Sequence, residues 1–245
     1  MTVTTATVIA PDARSAATLG AAWVAARARE AVSERSRFTV ALAGGESPKA
    51  LYEALSTRDD IDWSRWEVFL GDERAVPEGD ARNNLRGVRE TLLSRVAIDP
   101  SRVHPMYVDG TALDAMAERY ERELGEGAVL DLVVLGVGRD AHTLSLHPRC
   151  AAIDERARDV VALASPPMDP PVARITMTPP VVERARAVLL VAHGASKASA
   201  VASALEGPDD VHTWPAQIVR RARGEIVALL DEAAASSLAH CGDTT

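Results

Sequence analysis

The stretch DLVVLGVGRDAHTLSLHP, Asp131 to Pro148, decides how this chain is read. An acid opens it, apolar residues run from Leu132 to Leu135, and Gly136 stops the run. A short apolar run with β-branched residues and a glycine stop reads as a buried strand. In parallel α/β sheets, chemistry gathers outside the carboxyl ends of strands. Asp140 and His142 stand at that position, with Ser145 just beyond them.

The same pattern recurs on both sides. Phe38–Ala43, FTVALA, runs into Gly44-Gly45-Glu46-Ser47-Pro48 and then a helix, KALYEAL. A glycine turn entering a helix N-terminus makes an anion site, because free N–H groups and the helix dipole point outward. Ser47 is expected to cap this helix and Pro48 to occupy its first position. Glu46 opposes an anion there unless it points away. Trp66–Leu70 ends in Gly71-Asp72-Glu73-Arg74, and Ala187–Ala192 leads to His193-Gly194-Ala195-Ser196-Lys197. A lysine in the first turn of a helix works against the dipole, and binding an anion is one reason to place it there.

Further strands are predicted at Thr5–Ala10, Ser101–Val108, Asp159–Leu163, Arg174–Thr178 and Glu225–Leu230. His104, within the second of these, reads as structural. Helices are predicted at Ala13–Glu34 behind an Asp12 cap, after Asn83 and Asn84, over Ala112–Leu124, from Pro179, from Lys197 to Leu205, and briefly after Trp214. Ser165–Pro171 is proline-rich and irregular. Strands alternating with helices imply one three-layer α/β domain over residues 1–245, with a mostly parallel sheet flanked by helices. The small polar tail after Ser236 is expected to fray.

Composition narrows the function classes. Of the 245 residues 47% are apolar and 25% charged, the balance of an ordinary globular domain. The net charge of −8 argues against a nucleic-acid binder, but a local Arg/Lys cluster can still hold a small anion. Cys150 and Cys241 lack metal-ligand spacing and read as free thiols of a reducing compartment. No basic leader or long apolar run is seen, so a cytoplasmic protein without a membrane partner is expected.

Several chemistries compete for Gly136–His142. Gly136-x-Gly138-x-x-Ala141 satisfies a dinucleotide fingerprint, but Pro148 cuts short any following helix. Ser145 and Ser196 have no G-x-S-x-G elbow, and the scattered histidines make no zinc motif. The remaining reading is acid–base chemistry. His142, at the start of a short helix and oriented by Asp140, is placed to take a proton from water, since imidazole exchanges protons near neutral pH.

Here the chain resembles the 6-phosphogluconolactonases, in the superfamily that also holds glucosamine-6-phosphate deaminases. The matching pieces are LAGGESPKALYEAL, FLGDERAVP with Asn84 following, DLVVLGVGRDAHTLSLHP, RITMTPP, Gly194 with Lys197, and PAQIV with LLDEAAA. They fall in the family's order and span most of the chain. The resemblance implies the sugar-phosphate isomerase/deaminase type of fold. It also implies hydrolysis of 6-phospho-D-glucono-1,5-lactone to 6-phosphogluconate, in the oxidative pentose phosphate pathway, by a monomer or small homo-oligomer with no metal or cofactor. It makes His142 the general base with Asp140 beside it. Gly44, Gly45 and Ser47 become phosphate-side residues, and Asp72, Arg74, Arg174 and Lys197 line the substrate site. Departures are visible. Ala141 stands where the family carries glycine; if that position needs a positive φ, alanine there costs on the order of 1 kcal/mol and tilts the histidine. Glu46 and His147 replace family residues, and the asparagine after the RIT segment is absent. Two alternatives stay open: an isomerase or deaminase with Asp72 as base, and a non-catalytic sugar-phosphate binder.

Overall fold

The structure, a computed structural model, describes residues 5–239. The part of the tail from 240 onward, including Cys241, lies outside the described residues, so its expected fraying goes with it. Two sheets are formed. The larger has six parallel strands in the order β1 (Thr5–Ala10), β9 (Glu225–Asp231), β8 (Ala187–Ala192), β5 (Leu132–Gly136), β2 (Phe38–Leu42) and β3 (Trp66–Leu70). The smaller is antiparallel, with β7 (Arg174–Met177) between β4 (Asp72–Arg74) and β6 (Val160–Leu163).

The apolar runs become the buried strands. Leu132–Leu135 of β5 and all of β8 are buried, as expected for central parallel strands covered on both faces. Helix α1 (Ala13–Arg35) lays an alanine-rich face against the sheet, and Asp12 accepts from the Ser15 N–H at 2.7 Å as its cap. The other helices are α2 (Glu46–Ser56), α3 (Asn84–Val88), α4 (Leu113–Leu124), α5 (Pro179–Arg184), α6 (Ala198–Leu205) and α7 (Glu232–Ala235). Among the described residues no helix is long and apolar enough to cross a membrane.

Asp131, the acid that opens the diagnostic stretch, works at the end of the sheet away from the chemistry. Its carboxylate accepts from Thr39 N–H at 2.8 Å, Thr39 Oγ1 at 2.9 Å and Arg35 Nε at 2.9 Å. These bonds fix the register of β5 beside β2 at their start.

Strand order locates the crevice. From β2 the chain moves outward to the edge strand β3, and from β5 it moves the other way to β8 and β9. The loops after β2 and β5 therefore diverge at neighbouring strand ends, the position where open α/β sheets bind ligands. The small sheet, entered through Gly71, closes one side of it.

Away from the crevice, two predicted elements differ. Ser101–Val108 is not a strand: Pro100–Arg102 forms one 3₁₀ turn, and only Val103 bridges to Val68. Pro100 and Pro105 lack N–H groups and prevent a longer ladder. His104 is structural as expected, stacking on Phe69 at 4.3 Å and bonding Glu67 at 2.5 Å. The helix after Asn84 is regular for one turn, then widens into a π turn at Arg89–Leu93.

Candidate active site

The cleft at the crevice holds about 390 Å³. Of the residues singled out from sequence, Gly44, Gly45, Ser47, Asp72, Arg74, His142, Arg174 and Lys197 all line it. Asp140 stands behind His142, outside the lining.

One wall is the turn from β2 into α2. Gly45, at φ 102, is the helix cap residue, and no side chain caps the helix. The expectation for Ser47 and Pro48 is corrected: Ser47 lies inside the first turn, and Pro48 follows it as the helix's third residue. The Ser47 Oγ instead accepts from the His193 backbone N–H at 3.0 Å, tying the β2 and β8 loops together. A distant partner has outcompeted the local cap. First-turn N–H groups are thereby left for a ligand. Glu46 turns outward, its side chain 88% exposed and paired with Lys49 at 2.7 Å.

The small sheet supplies the second wall. Alternation along β4 aims Asp72 and Arg74 to one face and Glu73 to the other. Asp72 is buried; its carboxylate accepts from Ser145 Oγ at 2.6 Å and Asn84 Nδ2 at 3.2 Å, and lies 3.9 Å from Arg174. Asn84 reaches this place because Gly44 has no side chain, since a Cβ there would fall 1.9 Å from Asn84 Oδ1. Arg174 is 1% exposed. Its Nη2 donates to the Asp169 and Pro170 carbonyls, while its Nε has no partner among the described residues. Burial pushes the guanidinium below its usual range, against the pull of Asp72. Such a cation gains much from an anion.

The third wall follows β8. Gly194 N–H donates to Asp231, fixing the turn, and Lys197 ends it at the start of α6. Burial, then the nearby charge of Arg139, push the Lys197 ammonium down, opposed by Asp140. Two adjacent cations with little compensation mark a place where negative charge is favoured.

His142 completes the cleft. Its ring Nδ1 lies 2.5 Å from Asp140 Oδ1, which also accepts from the His142 backbone N–H at 3.2 Å. The bond from the imidazole holds the Asp140 carboxyl down at about 2. With Nδ1 occupied, Nε2 is the nitrogen left for a ligand. No helix begins here, contrary to expectation; Arg139–Cys150 is a run of turns. It is braced by Gly138 N–H to His142 O at 2.8 Å, Thr143 Oγ1 to Gly136 O at 2.8 Å, and Ala216 N–H to Ala141 O at 2.8 Å. The fingerprint glycine serves this pair: a Cβ on Gly138 would fall 2.0 Å from His142 Nδ1 and 2.6 Å from Asp140 Oδ1. Ala141 has φ 61, the conformation in which glycine is at ease and alanine is strained.

Arg139, His193 and Ser196 also line the cleft, though sequence reasoning assigned none of them a role there, and it missed the bracing roles of Asn84 and Ser145. A polar residue directly after an apolar strand signals His193. Nothing local signals the Ser145–Asp72 bond, which spans 73 positions. Among the described residues no group of three or more His, Cys, Asp or Glu is arranged to hold a metal.

Comparison with known proteins agrees over nearly the whole chain. The family model described as glucosamine-6-phosphate isomerases/6-phosphogluconolactonase matches residues 11–228. A 6-phosphogluconolactonase of Streptomyces coelicolor is 37% identical, covering 94% of each chain. One from Mycobacterium tuberculosis is 40% identical over 85% of this chain and 88% of its own. The crystal structure of 6-phosphogluconolactonase from Thermotoga maritima superposes with a TM-score of 0.82 at 28% identity, covering 93% of this chain and all of that one. A monomeric glucosamine-6-phosphate deaminase shares the fold, with a TM-score of 0.78 at 23% identity, covering 95% and 99%.

Proposed function

The chain belongs to the glucosamine-6-phosphate isomerase/6-phosphogluconolactonase family, and from that premise we infer that it hydrolyses 6-phospho-D-glucono-1,5-lactone to 6-phosphogluconate in the oxidative pentose phosphate pathway. The observation that carries the reading is the His142–Asp140 pair in a cleft that also presents Arg74, Arg174 and Lys197. A base facing a cation-lined crevice suits an anionic ester that needs water delivered to its carbonyl.

The first turn of α2, with Gly44, Gly45 and Ser47, receives the phosphate, and the cations supply counter-charge. Asp72 keeps Arg174 in place. Asp140 fixes the imidazole with its Nε2 toward the carbonyl. A water between them gives its proton to Nε2 as its oxygen bonds to C1. The carbonyl oxygen becomes an oxyanion, stabilised by neighbouring cations and backbone N–H groups. The C1–ring oxygen bond then breaks, and the ring oxygen takes the proton back from His142 as the C5 hydroxyl. The new carboxylic acid ionises and releases one proton.

Asp72 is a poor base for the isomerase or deaminase alternative, because Ser145 and Asn84 already engage its carboxylate. The test is continuous hydrolysis of freshly generated lactone, with spontaneous opening subtracted. Wild type is expected to turn over, and His142→Ala to lose about 10² to 10⁴-fold in kcat. A variant as fast as wild type refutes the base assignment. Sugar-phosphate deamination without lactone hydrolysis refutes the function.

A further inference from the structure

Behind the loop that carries His142 lies a second hollow of about 490 Å³. Arg139 and Arg149 from the loop, Ser199 and Ser203 from α6, and Thr213 and Trp214 beyond it form its walls. Ser199 and Ser203 are four residues apart and so share one face of the helix. Both arginines are exposed, and neither guanidinium has a hydrogen-bond or ion-pair partner among the described residues. Most of the other arginines described are paired; Arg158, Arg184 and Arg220, for example, bond a carboxylate or carbonyl within 2.7 Å.

Arg149 is also placed at a cost. Its backbone is left-handed at φ 62, held by its N–H donating to His212 O at 2.7 Å. A residue with a Cβ is disfavoured in that conformation, where glycine is at ease. Here the disfavoured conformation brings a guanidinium to a hollow that already has one. Asp140 touches the same hollow, but its carboxylate is engaged by His142. Two guanidinium groups against one occupied carboxylate leave the hollow positive, with hydroxyls in its wall as further donors.

We propose that this hollow is a second anion site, distinct from the cleft, that takes the phosphate group of a small phosphate-bearing molecule. The two guanidinium groups contact the phosphate oxygens, and the Ser199 and Ser203 hydroxyls supply neutral hydrogen bonds. Arg139 lines both cavities, so the two sites share a wall.

Titration of the full chain with inorganic phosphate, followed by calorimetry and ³¹P line width, tests this. Wild type is expected to bind phosphate at two sites. Arg149→Gly, which suits the left-handed backbone and keeps the fold, is expected to weaken one of them at least tenfold and leave lactone turnover within twofold. Arg74→Ala, in the cleft, is expected to leave the site that Arg149→Gly removes. Phosphate binding in wild type that Arg149→Gly leaves unchanged overturns the proposal. So does a single bound phosphate lost in Arg74→Ala. A single phosphate lost only in Arg149→Gly supports the second site and counts instead against phosphate binding in the cleft.

Discussion

At the scale of single residues the proposed base His142 and its partner Asp140 have a geometry that makes two predictions. Asn at position 140 turns an acceptor-only carboxylate into an amide that also donates, so it no longer selects one ring tautomer. Asp140→Asn is expected to lower kcat by about 10²-fold or more with KM little changed, read in the lactone assay. The same substitution has a pH signature. Asp140 is held down at about 2 from a usual 3.8, so the pair's stabilisation is present above pH 3.8 and is lost as pH falls through 2. The gap in melting temperature between wild type and Asp140→Asn is expected to be full above about pH 4 and to close toward pH 2. Ala141 makes a third. Its left-handed backbone at φ 61 costs roughly 1–2 kcal/mol, but glycine there gives up a buried methyl worth about 0.8 kcal/mol and adds chain entropy. These terms nearly cancel. Ala141→Gly is expected to shift stability by less than about 1 kcal/mol and leave kcat unchanged; a tenfold faster enzyme would show that the Cβ displaces His142.

At the scale of elements, β4 shows how a strand of three residues serves two faces. Asp72 and Arg74 face the cleft, while Glu73 is 1% exposed and accepts from the N–H groups of Asn84, Leu85 and Arg74. It thus joins β4 to the start of α3. Burial pushes Glu73 up to about 7, against the pull of those N–H bonds. The folded value lies above the usual 4.5, so this group's contribution is fully present below pH 4.5 and falls as pH rises through 7. Wild type is expected to lose stability across that window, and Glu73→Gln to lack that part of the slope, as read from melting temperatures at pH 5 and 8. Such pairings explain what the sequence disclosed. β5 and β8 were legible because central parallel strands are apolar throughout, and β2 and the edge strand β3 because runs rich in aromatic and β-branched residues lead into glycine turns. The span 101–108 was misread because its apolar residues look strand-like, while its prolines decide how few bonds it makes. Ser47 was misread because a cap is a local rule and His193 is a distant partner. His142, Arg74 and Lys197 were legible as polar residues following strand ends, and Arg174 only through the family resemblance, since it opens a strand, but the bracing by Asn84, Ser145 and Gly138 depends on contacts that only the folded chain creates.

At the scale of the whole molecule, charge and topology pull in opposite directions. The chain carries −8 overall and yet is read as taking an anionic substrate. The parallel sheet resolves this by bringing widely separated strand ends to one crevice, where Arg74, Arg139, Arg174 and Lys197 line a single cleft. Local cations then dominate at contact distance, while the net charge dominates only farther out. Salt separates the two, because the Debye length falls from about 30 Å at 0.01 M to about 3 Å at 1 M. If the cleft's own cations govern binding, screening weakens them and KM rises with added salt. If long-range repulsion from the net charge governs, screening relieves it and KM falls. Arg174 is buried and therefore screened less than an exposed pair, so the rise is expected to be modest, about two- to fivefold between 0.05 and 0.5 M potassium chloride, with kcat unchanged. Arg74→Ala is expected to raise KM at low salt and flatten its salt dependence. A KM that falls with salt would place the governing field outside the cleft.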